Sequence, residues 1–400
     1  MEELSQEELK ALQVRVRRDH PGGEQELVIF RRQYLQKLDL KHITFPSREL
    51  LQIYDIQRWI HSFICSPPAD EYHPKSDHDI LNELVKRIEE AVSDAEEPDI
   101  YDPLVEFAAE LCIQQRRPLT EAAQCDVWVS YECPGPADML DNSRRIKLLE
   151  KPQLLAAIGC TGYRTWQAAL ALANKIATEW LPEEKLKGKR VLELGAGTGL
   201  LSLLCAKEGD AQLVVGTDGA LDAIERLKLA DYVNGLCGLK KSTYGVYWWG
   251  ESFEGTVVGE ALDDGRPFDF VIASDVVSSI SDPVLLLVLI SQQTYDPPSL
   301  PSLVKTFSML LAINPATVIV VSATYRNQNT FDDFIRVCGE SCSDLTFCSC
   351  IDTSVPDEYN LATEVIELEI TPVKEQQSFF NVNTEKIMMV TITSGQKGSA

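Results

Sequence analysis

The sequence predicts an α/β protein in which a mostly parallel β-sheet follows an N-terminal helical domain. Three observations lead to this prediction. Apolar residues recur at helical spacing through about the first 130 residues, β-branched runs alternate with helical patterns from Lys189 onward, and a glycine-rich loop follows the first of these runs. Such alternation is typical of βαβ units, whose strands pair in parallel.

Composition restricts the class of protein before any motif is considered. The 400 residues include 44% apolar side chains, enough for at least one large core, and carry a net charge of −24. Proteins that bind the phosphate backbone usually present a basic face, so we expect no direct nucleic-acid partner. The charge leaves open a protein partner with a basic patch.

The N-terminus and the cysteines indicate a cytosolic protein. The N-terminal segment is acidic and lacks the apolar core of a signal peptide, and no run reaches the roughly 18 apolar residues of a membrane span. Eleven cysteines without regular spacing are typical of reduced thiols rather than of a disulfide framework. We therefore expect a cytoplasmic location, no membrane association and, by default, a monomer.

One group of cysteines requires a decision about metal binding. Cys338, Cys342, Cys348 and Cys350 have the ligand types of a zinc site, but their spacing is irregular, and Cys338 falls on the apolar face of a predicted helix. All five histidines lie in the first 80 residues. We therefore expect no metal site, and any chemistry further along the chain proceeds without histidine.

The chain divides into two predicted domains. Residues 1–132 form an N-terminal helical domain, in which Leu84 and Ile88 exemplify the helical spacing. Residues 133–145 are rich in Pro, Gly and Asp and predict a linker. Residues 146–400 form the predicted sheet domain.

Each strand of the sheet domain is predicted from an apolar, β-branched run. The parallel strands are "RVLEL", "QLVVGTD", "YGVYWW", "FDFVIASD" and "TVIVVSAT". The last two runs, "EVIELEI" and "KIMMVTI", follow each other without a convincing helix between them. They predict an antiparallel pair at one edge of the sheet.

The segment "VLELGAGTGL" joins the first strand to a helix. Glycines at Gly195, Gly197 and Gly199 let the backbone turn sharply and approach a ligand closely. Dinucleotide enzymes place a pyrophosphate here and have no use for a carboxylate, whereas S-adenosylmethionine has no phosphate and presents an ammonium group. Glu193, two positions before the first glycine, therefore favours S-adenosylmethionine as the cofactor.

Further side chains would complete a cofactor site around this loop. Asp218 ends the second strand, where a carboxylate can accept hydrogen bonds from both ribose hydroxyls. We expect Trp249 to lie against the adenine and Trp166 to face the sulfonium, although either ring alone is more typical of a core.

Several segments then carry a likeness to a known family. They are "GCTGYRTWQAAL" (Gly159–Leu170), "VLELGAGTGL", "ASDVV" with a displaced "YDPPSL", "SATYRN" followed by "TFDDFI", and "FRRQYLQ" (Phe30–Gln36) in the helical domain. With them the chain resembles the seven-strand S-adenosylmethionine methyltransferases of the family 16 type, and is most similar to the fungal branch of the elongation factor 2 lysine methyltransferases. The resemblance implies a Rossmann-like seven-strand methyltransferase sheet and elongation factor 2 as the protein substrate.

The resemblance also implies the residues of the site. Asp275 and Tyr295 would stand at the mouth of a lysine channel and orient the amine. The cofactor would be held by Trp166, Glu193, Gly195, Gly197, Gly199, Asp218, Trp249 and Ala273.

One stretch departs from the family pattern Asp-x-x-Tyr. Ser278 occupies the tyrosine position, and the expected "YDPPSL" begins only at Tyr295. Removal of residues 277–293 joins Val276 to Thr294 and restores the pattern. These seventeen codons keep the reading frame, valine codons begin with GT, and glutamine can be encoded by CAG, so we predict a translated intron. The alternatives are a lineage-specific loop or a chain that has lost activity.

Two other functions stay open. A nicotinamide-dependent oxidoreductase shares the βαβ start but gives no reason for Glu193. A cofactor-binding scaffold or chaperone for its partner would bind S-adenosylmethionine and transfer nothing. Because the insertion separates Tyr295 from Asp275, we expect the full chain to bind the cofactor and to methylate poorly.

Overall fold

Helices dominate the first part of the chain and a β-sheet dominates the second. By its contacts the chain divides into a first unit, residues 1–153 and 371–382, and a second unit, residues 154–370 and 383–400. The structure is a computed structural model that describes residues 4–65, 75–93, 99–113, 118–122, 124–152, 161–239, 241–277, 299–326, 328–339, 361–382 and 385–395.

The first unit builds its core from amphipathic helices. These are α1 (Gln6–Asp19), α2 (Gly23–Leu35), α3 (Arg48–Leu51), α4 (Tyr54–Ile64), α5 (Lys75–Val92), α6 (Asp102–Ile113) and α7 (Leu119–Ala122). Helix α1 begins with a capping box, in which the Ser5 hydroxyl accepts from the Glu8 N–H and the Glu8 carboxylate accepts from the Ser5 N–H. The apolar helix faces bury a cluster that includes Phe30, Tyr34 and Trp59.

The same unit contains a hairpin of strands β1 (Val127–Glu132) and β2 (Arg145–Glu150), paired antiparallel. Residues 133–145 were predicted as a linker between domains. Residues 133–144 instead connect the two strands of this hairpin within one unit, and Arg145 begins β2. Pro, Gly and Asp indicate a change of chain direction, which occurs between two strands as readily as between two domains.

Buried charges join α2 to the hairpin. Glu132 accepts hydrogen bonds from Arg31 and Arg32 of α2 and from Arg145 of β2, with N···O distances of 3.0, 3.2 and 2.7 Å. Burial by itself would raise the pKa of Glu132, but the guanidinium charges of Arg31 and Arg145 outweigh burial and hold the pKa below its ordinary value. The carboxylate is therefore ionised and shared by three cations.

Residues 371–382 also belong to the first unit, although they lie in the part of the chain predicted to form the sheet domain. The Arg32 guanidinium donates to the Gln377 carbonyl at 2.9 Å. The Gln36 side chain donates to the Phe380 carbonyl at 2.7 Å and accepts from the Phe380 N–H at 2.9 Å. The segment "FRRQYLQ" thus binds both the hairpin and this late segment, which explains its buried polar residues in structural terms.

The second unit is organised around a seven-stranded sheet. Its strands are β3 (Arg190–Leu194), β4 (Leu213–Asp218), β5 (Ser242–Val246), β6 (Phe270–Ser274), β7 (Val318–Thr324), β8 (Leu361–Leu368) and β9 (Ile387–Ser394). They lie in the order β5-β4-β3-β6-β7-β9-β8, and β9 is antiparallel to both of its neighbours. The predicted Rossmann-like sheet, mostly parallel with an antiparallel pair at one edge, is confirmed.

Helices cover this sheet. They are α8 (Gln167–Lys175), a π-helical turn (Ile176–Trp180), α9 (Leu200–Lys207), α10 (Leu221–Val233), α11 (Val257–Leu262), α12 (Ser299–Ile313) and α13 (Gln328–Gly339). Leu192 of β3, Val271 of β6 and Phe307 of α12 are completely buried in the core of the unit. Because the central strands are parallel, their carboxyl ends meet at one edge, where ligands bind in open α/β sheets.

Several sequence-based predictions fall outside the described part of the chain. The predicted insertion is described only at Val277, which is buried in the core of the second unit. Tyr295 and the rest of the insertion lie outside the described residues, as do Cys342, Cys348 and Cys350. Among the residues that are described, no group of His, Cys, Asp and Glu is placed to hold a metal ion, and no helix has the length and apolarity of a membrane span.

Substitution of Glu132 tests the buried charge cluster. Glu132→Ala leaves three guanidinium groups without their shared carboxylate, and breaking a buried ion pair costs about 3–5 kcal/mol. We expect the free energy of unfolding of the first unit, measured by urea denaturation, to fall by that amount. The matched control is Glu90→Ala, whose exposed carboxylate lies 3.9 Å from Lys86 and should contribute less than about 1 kcal/mol. Equal effects of the two substitutions would contradict the structural role of Glu132.

Candidate active site

The glycine loop, residues 195–199, connects β3 to α9 at the carboxyl edge of the sheet. Gly195, Gly197 and Gly199 have φ angles of 70°, 52° and 87°, in the left-handed region that favours glycine. A Cβ on Gly199 would lie 2.0 Å from the Leu227 side chain, and one on Gly195 would lie 2.9 Å from Val276. Backbone conformation thus requires all three glycines, and packing further requires Gly195 and Gly199, whether or not a ligand is bound.

Glu193 lies inside β3 with only 1% of its surface exposed. Its carboxylate accepts hydrogen bonds from the Ser202 N–H at 2.8 Å and from the Ser202 hydroxyl, so it caps the first turn of α9. Burial raises the pKa of Glu193 to about 8, and the hydrogen bonds from Ser202 only partly oppose this effect. The carboxyl group is therefore largely protonated at neutral pH, and a nearby ammonium group would favour its ionised form.

Asp218 ends β4, the strand that pairs with β3. Its two carboxylate oxygens accept hydrogen bonds from the Gly197 N–H and the Ala220 N–H, each at 2.9 Å. Burial raises its pKa, and the backbone donors lower it by less. The structure thus brings the two acids predicted to contact the cofactor, Glu193 and Asp218, to either side of the glycine loop.

The two adjacent tryptophans that follow β5 have different surroundings. Trp249 packs against the core, and its ring lies 3.3 Å from the position of a Cβ on Gly195. Trp248 is 53% exposed, and its ring lies 3.3 Å from the position of a Cβ on Gly219, directly after Asp218. An exposed indole beside the acid at the end of β4 can stack on a flat purine.

The sequence-based prediction named Trp249 for the adenine, which stays a prediction, and did not consider Trp248, the more exposed of the two rings. Side chains alternate along an extended segment, so adjacent residues point to opposite sides. Applied to Trp248 and Trp249, the rule indicates that only one of the two rings faces the core, and it would have drawn attention to Trp248 as a second candidate.

Asp275 directly follows β6 and has a φ angle of 52°, which aspartate tolerates better than most residues. Its Oδ2 accepts from the Ala168 N–H at 3.2 Å and its Oδ1 from the Thr324 N–H at 2.9 Å. Its own N–H donates to the Ser322 carbonyl at 2.8 Å. One partly buried carboxylate therefore links the end of β6 to the start of α8 and the end of β7.

Ala273 and Trp166 complete the set of predicted residues within the described chain. Ala273 is fully buried in β6, where it pairs with Leu194 of β3. Trp166 is the N-cap residue of α8, and the guanidinium carbons of Arg164 and Arg326 lie 5.8 and 5.3 Å from its ring centroid. Contact of Trp166 with the sulfonium stays a prediction, and the two neighbouring cations would oppose a third.

Comparisons with known proteins agree with this geometry. The family profile described as lysine methyltransferase matches residues 155–285. The chain is 35% identical over 309 residues to the protein-lysine N-methyltransferase EFM3 of Chaetomium thermophilum, covering 77% of this chain and 85% of that protein. It is 28% identical over 213 residues to the EFM3 of Saccharomyces cerevisiae, covering 50% of this chain and 55% of that protein.

A third relative is named for two activities. The protein N-terminal and lysine N-methyltransferase EFM7 of Cryptococcus neoformans is 28% identical over 185 residues, covering 44% of this chain and 59% of that protein. Like the first two relatives, it is a fungal protein.

The raised pKa of Glu193 makes the stability of the second unit depend on pH. A carboxyl group with a pKa of about 8 in the folded state and an ordinary value of 4.5 stabilises the fold below pH 4.5. That contribution is lost as the pH rises through 8. We expect the free energy of unfolding, measured by urea denaturation, to fall by a few kcal/mol over this range, since each pKa unit is worth about 1.4 kcal/mol.

Glu193→Gln keeps a neutral acceptor for Ser202 and removes the titrating group. The free energy of unfolding should therefore depend less on pH between 4.5 and 8 in this variant. Glu183→Gln, at a carboxylate that is 61% exposed, is the control that should retain the slope of the wild-type chain. An unchanged slope in Glu193→Gln would contradict the assigned pKa.

Proposed function

The chain belongs to the family of S-adenosylmethionine-dependent protein-lysine methyltransferases, and from this premise we propose that its target lysine belongs to elongation factor 2. The likeness of "GCTGYRTWQAAL", "SATYRN" and "FRRQYLQ" to the fungal elongation factor 2 branch supports this substrate. The observation that carries the catalytic role is the meeting of the glycine loop, Glu193, Asp218 and Asp275 at one edge of the sheet.

The residues at this edge suit the cofactor. Glu193 offers a carboxyl group for the ammonium end, Asp218 offers acceptors for the ribose hydroxyls, and Trp248 offers a flat ring for the adenine. The left-handed glycines lack the Cβ atoms that would crowd a ligand at the turn. S-adenosylmethionine supplies a methyl group on a sulfonium, which is already activated for displacement by an amine.

The protein's main contribution to the reaction is alignment. Asp275 is the residue that we assign to the lysine amine, because the N–H groups of Ala168 and Thr324 hold its carboxylate in one orientation. A carboxylate stabilises ammonium, so Asp275 recruits and orients the lysine rather than deprotonating it. Neutral lysine costs about 4.6 kcal/mol at pH 7, and partial burial of the amine lowers this cost.

Methyl transfer by two versions of the chain tests the function and the predicted insertion together. The full chain and a chain lacking residues 277–293 are each given labelled S-adenosylmethionine and purified elongation factor 2. We expect the shortened chain to label the factor about a hundredfold faster, because misplacement of a positioning residue can cost this much. Asp275→Ala in the shortened chain should remove the labelling, and cofactor affinity measured in parallel reports whether each variant is folded.

Each outcome of this experiment has a definite meaning. Equal labelling by the two chains would contradict the translated intron. Absence of labelling by both, with cofactor affinity retained, would contradict elongation factor 2 as the substrate and favour a cofactor-binding scaffold.

Trp248 provides a separate test of the cofactor site. Stacking of a base on an aromatic side chain is worth about 1–3 kcal/mol, so Trp248→Ala should raise the Kd for S-adenosylhomocysteine about 5- to 100-fold in calorimetric titrations. Trp248→Phe should retain most of the affinity. Tyr232→Ala removes an aromatic side chain that is 70% exposed on α10 and serves as the control. A Kd for Trp248→Ala that matches this control would exclude Trp248 from the adenine site.

A further inference from the structure

Two arginines lie over one aromatic ring, that of Trp166, in segments whose backbone also binds the candidate catalytic acid. Arg164 precedes α8 and Arg326 follows β7, yet both guanidinium carbons are within 5.8 Å of the Trp166 ring centroid. Attraction between a cation and an indole face holds each group in place. The ring therefore orders two positive charges that are distant in the sequence.

Asp275 fixes the position of this group of side chains. The N–H that its Oδ2 binds belongs to Ala168, two residues after Trp166. The N–H that its Oδ1 binds belongs to Thr324, two residues before Arg326. The segments that carry the arginine pair are thus anchored to the same carboxylate that we assign to the substrate amine.

The two arginines differ in their contacts with carboxylates. The Arg326 Nε lies 3.4 Å from the Glu385 carboxylate, but these side chains are 34% and 44% exposed, and exposed ion pairs contribute little. Arg164 makes the ring contact and pairs with no carboxylate of the described chain. Like charges near one ring repel each other, and an anion that contacts both guanidinium groups would relieve this repulsion.

We propose that Arg164 and Arg326, ordered by Trp166, form a carboxylate-binding site for the methyl-transfer reaction. The planar fork of a guanidinium group matches a carboxylate, and hydrogen bonds between such charged groups are stronger than neutral ones. The carboxylate comes either from the methionine end of the cofactor or from an acidic side chain beside the target lysine. The second source rests on the proposed function, whereas the first requires only cofactor binding.

Arg164→Ala, Arg326→Ala and the double substitution test this site in the full chain. Arg164→Lys and Arg326→Lys keep the positive charge but lose the planar guanidinium fork, so these variants should retain part of the carboxylate binding. The control is Arg336→Ala, which removes an arginine that is 40% exposed on α13 and pairs with Asp333. Two readouts are measured: Kd values for S-adenosylhomocysteine and for 5′-methylthioadenosine, which lacks the carboxylate, and KM and kcat for the protein substrate at saturating cofactor.

The two sources of the carboxylate give different results. If the carboxylate belongs to the cofactor, the double substitution should raise the Kd for S-adenosylhomocysteine at least about tenfold. The Kd for 5′-methylthioadenosine should stay unchanged. If the carboxylate belongs to the protein substrate, both Kd values should stay unchanged. The KM for the protein substrate should then rise by a similar factor at constant kcat. A double variant that matches Arg336→Ala in every readout overturns the site.

The failure of the proposed substrate can be told apart from the failure of the site. Labelling of elongation factor 2 by the wild-type chain is measured first, and, where the full chain is too slow, in the chain lacking residues 277–293. Absence of labelling there contradicts the proposed substrate. In that case only the Kd for S-adenosylhomocysteine tests the carboxylate site. A Kd that is the same in the double variant and the wild-type chain overturns the site.

Discussion

The hydrogen bonds of Asp275 are the interactions on which the organisation of the candidate active site depends. The residue adopts a left-handed backbone conformation, which costs free energy for any residue with a side chain. Two hydrogen bonds offset this cost, because the Asp275 carboxylate accepts one from an N–H of α8 and one from an N–H at the end of β7. Because the glycine loop lies on the neighbouring strand β3, the same bonds place the segments of Trp166 and Arg326 beside the cofactor edge. If Asp275 also meets the substrate, as we propose, it cannot change without affecting both the position of these segments and substrate binding.

Burial alone does not determine the charge of the acids in this protein. Glu132 and Glu193 are both almost completely removed from water, but their pKa values move in opposite directions. Three guanidinium groups surround Glu132 and keep it ionised, whereas Glu193 receives only uncharged donors from Ser202 and favours its proton. The difference agrees with the positions of the two residues. Ionised Glu132 holds α2 and the hairpin together, and Glu193, which can bind or release a proton, can respond to a cation that binds at the sheet edge.

Local patterns in the sequence are sufficient for much of the fold and for part of the site. The seven strands, the glycine loop and the antiparallel pair of β8 and β9 follow from alternation and turn residues, which act over a few positions. Two features that depend on distant contacts were missed. Residues 371–382 join the helical unit through Arg32 and Gln36, more than 300 positions earlier, and no local spacing encodes such a contact. Trp166 was predicted as a cofactor residue that faces the sulfonium, which stays a prediction, and no local pattern indicated that Arg164 and Arg326 lie over its ring.

The arginine pair gives a positive charge to the site of a protein whose net charge is −24. An acidic surface attracts lysine-rich partners in general, but this attraction is screened beyond about 8–10 Å at physiological salt and cannot select one lysine. Selection requires groups that discriminate at contact distance, by repulsion as well as by attraction. Guanidinium groups next to Asp275 would repel a lysine flanked by other cations. The same guanidinium groups would favour a lysine when a carboxylate is present, either from an acidic residue beside that lysine or from the methyl donor. In our proposal, the negative charge of the chain attracts basic partners, and the local positive charge of the arginine pair selects the lysine that reaches Asp275.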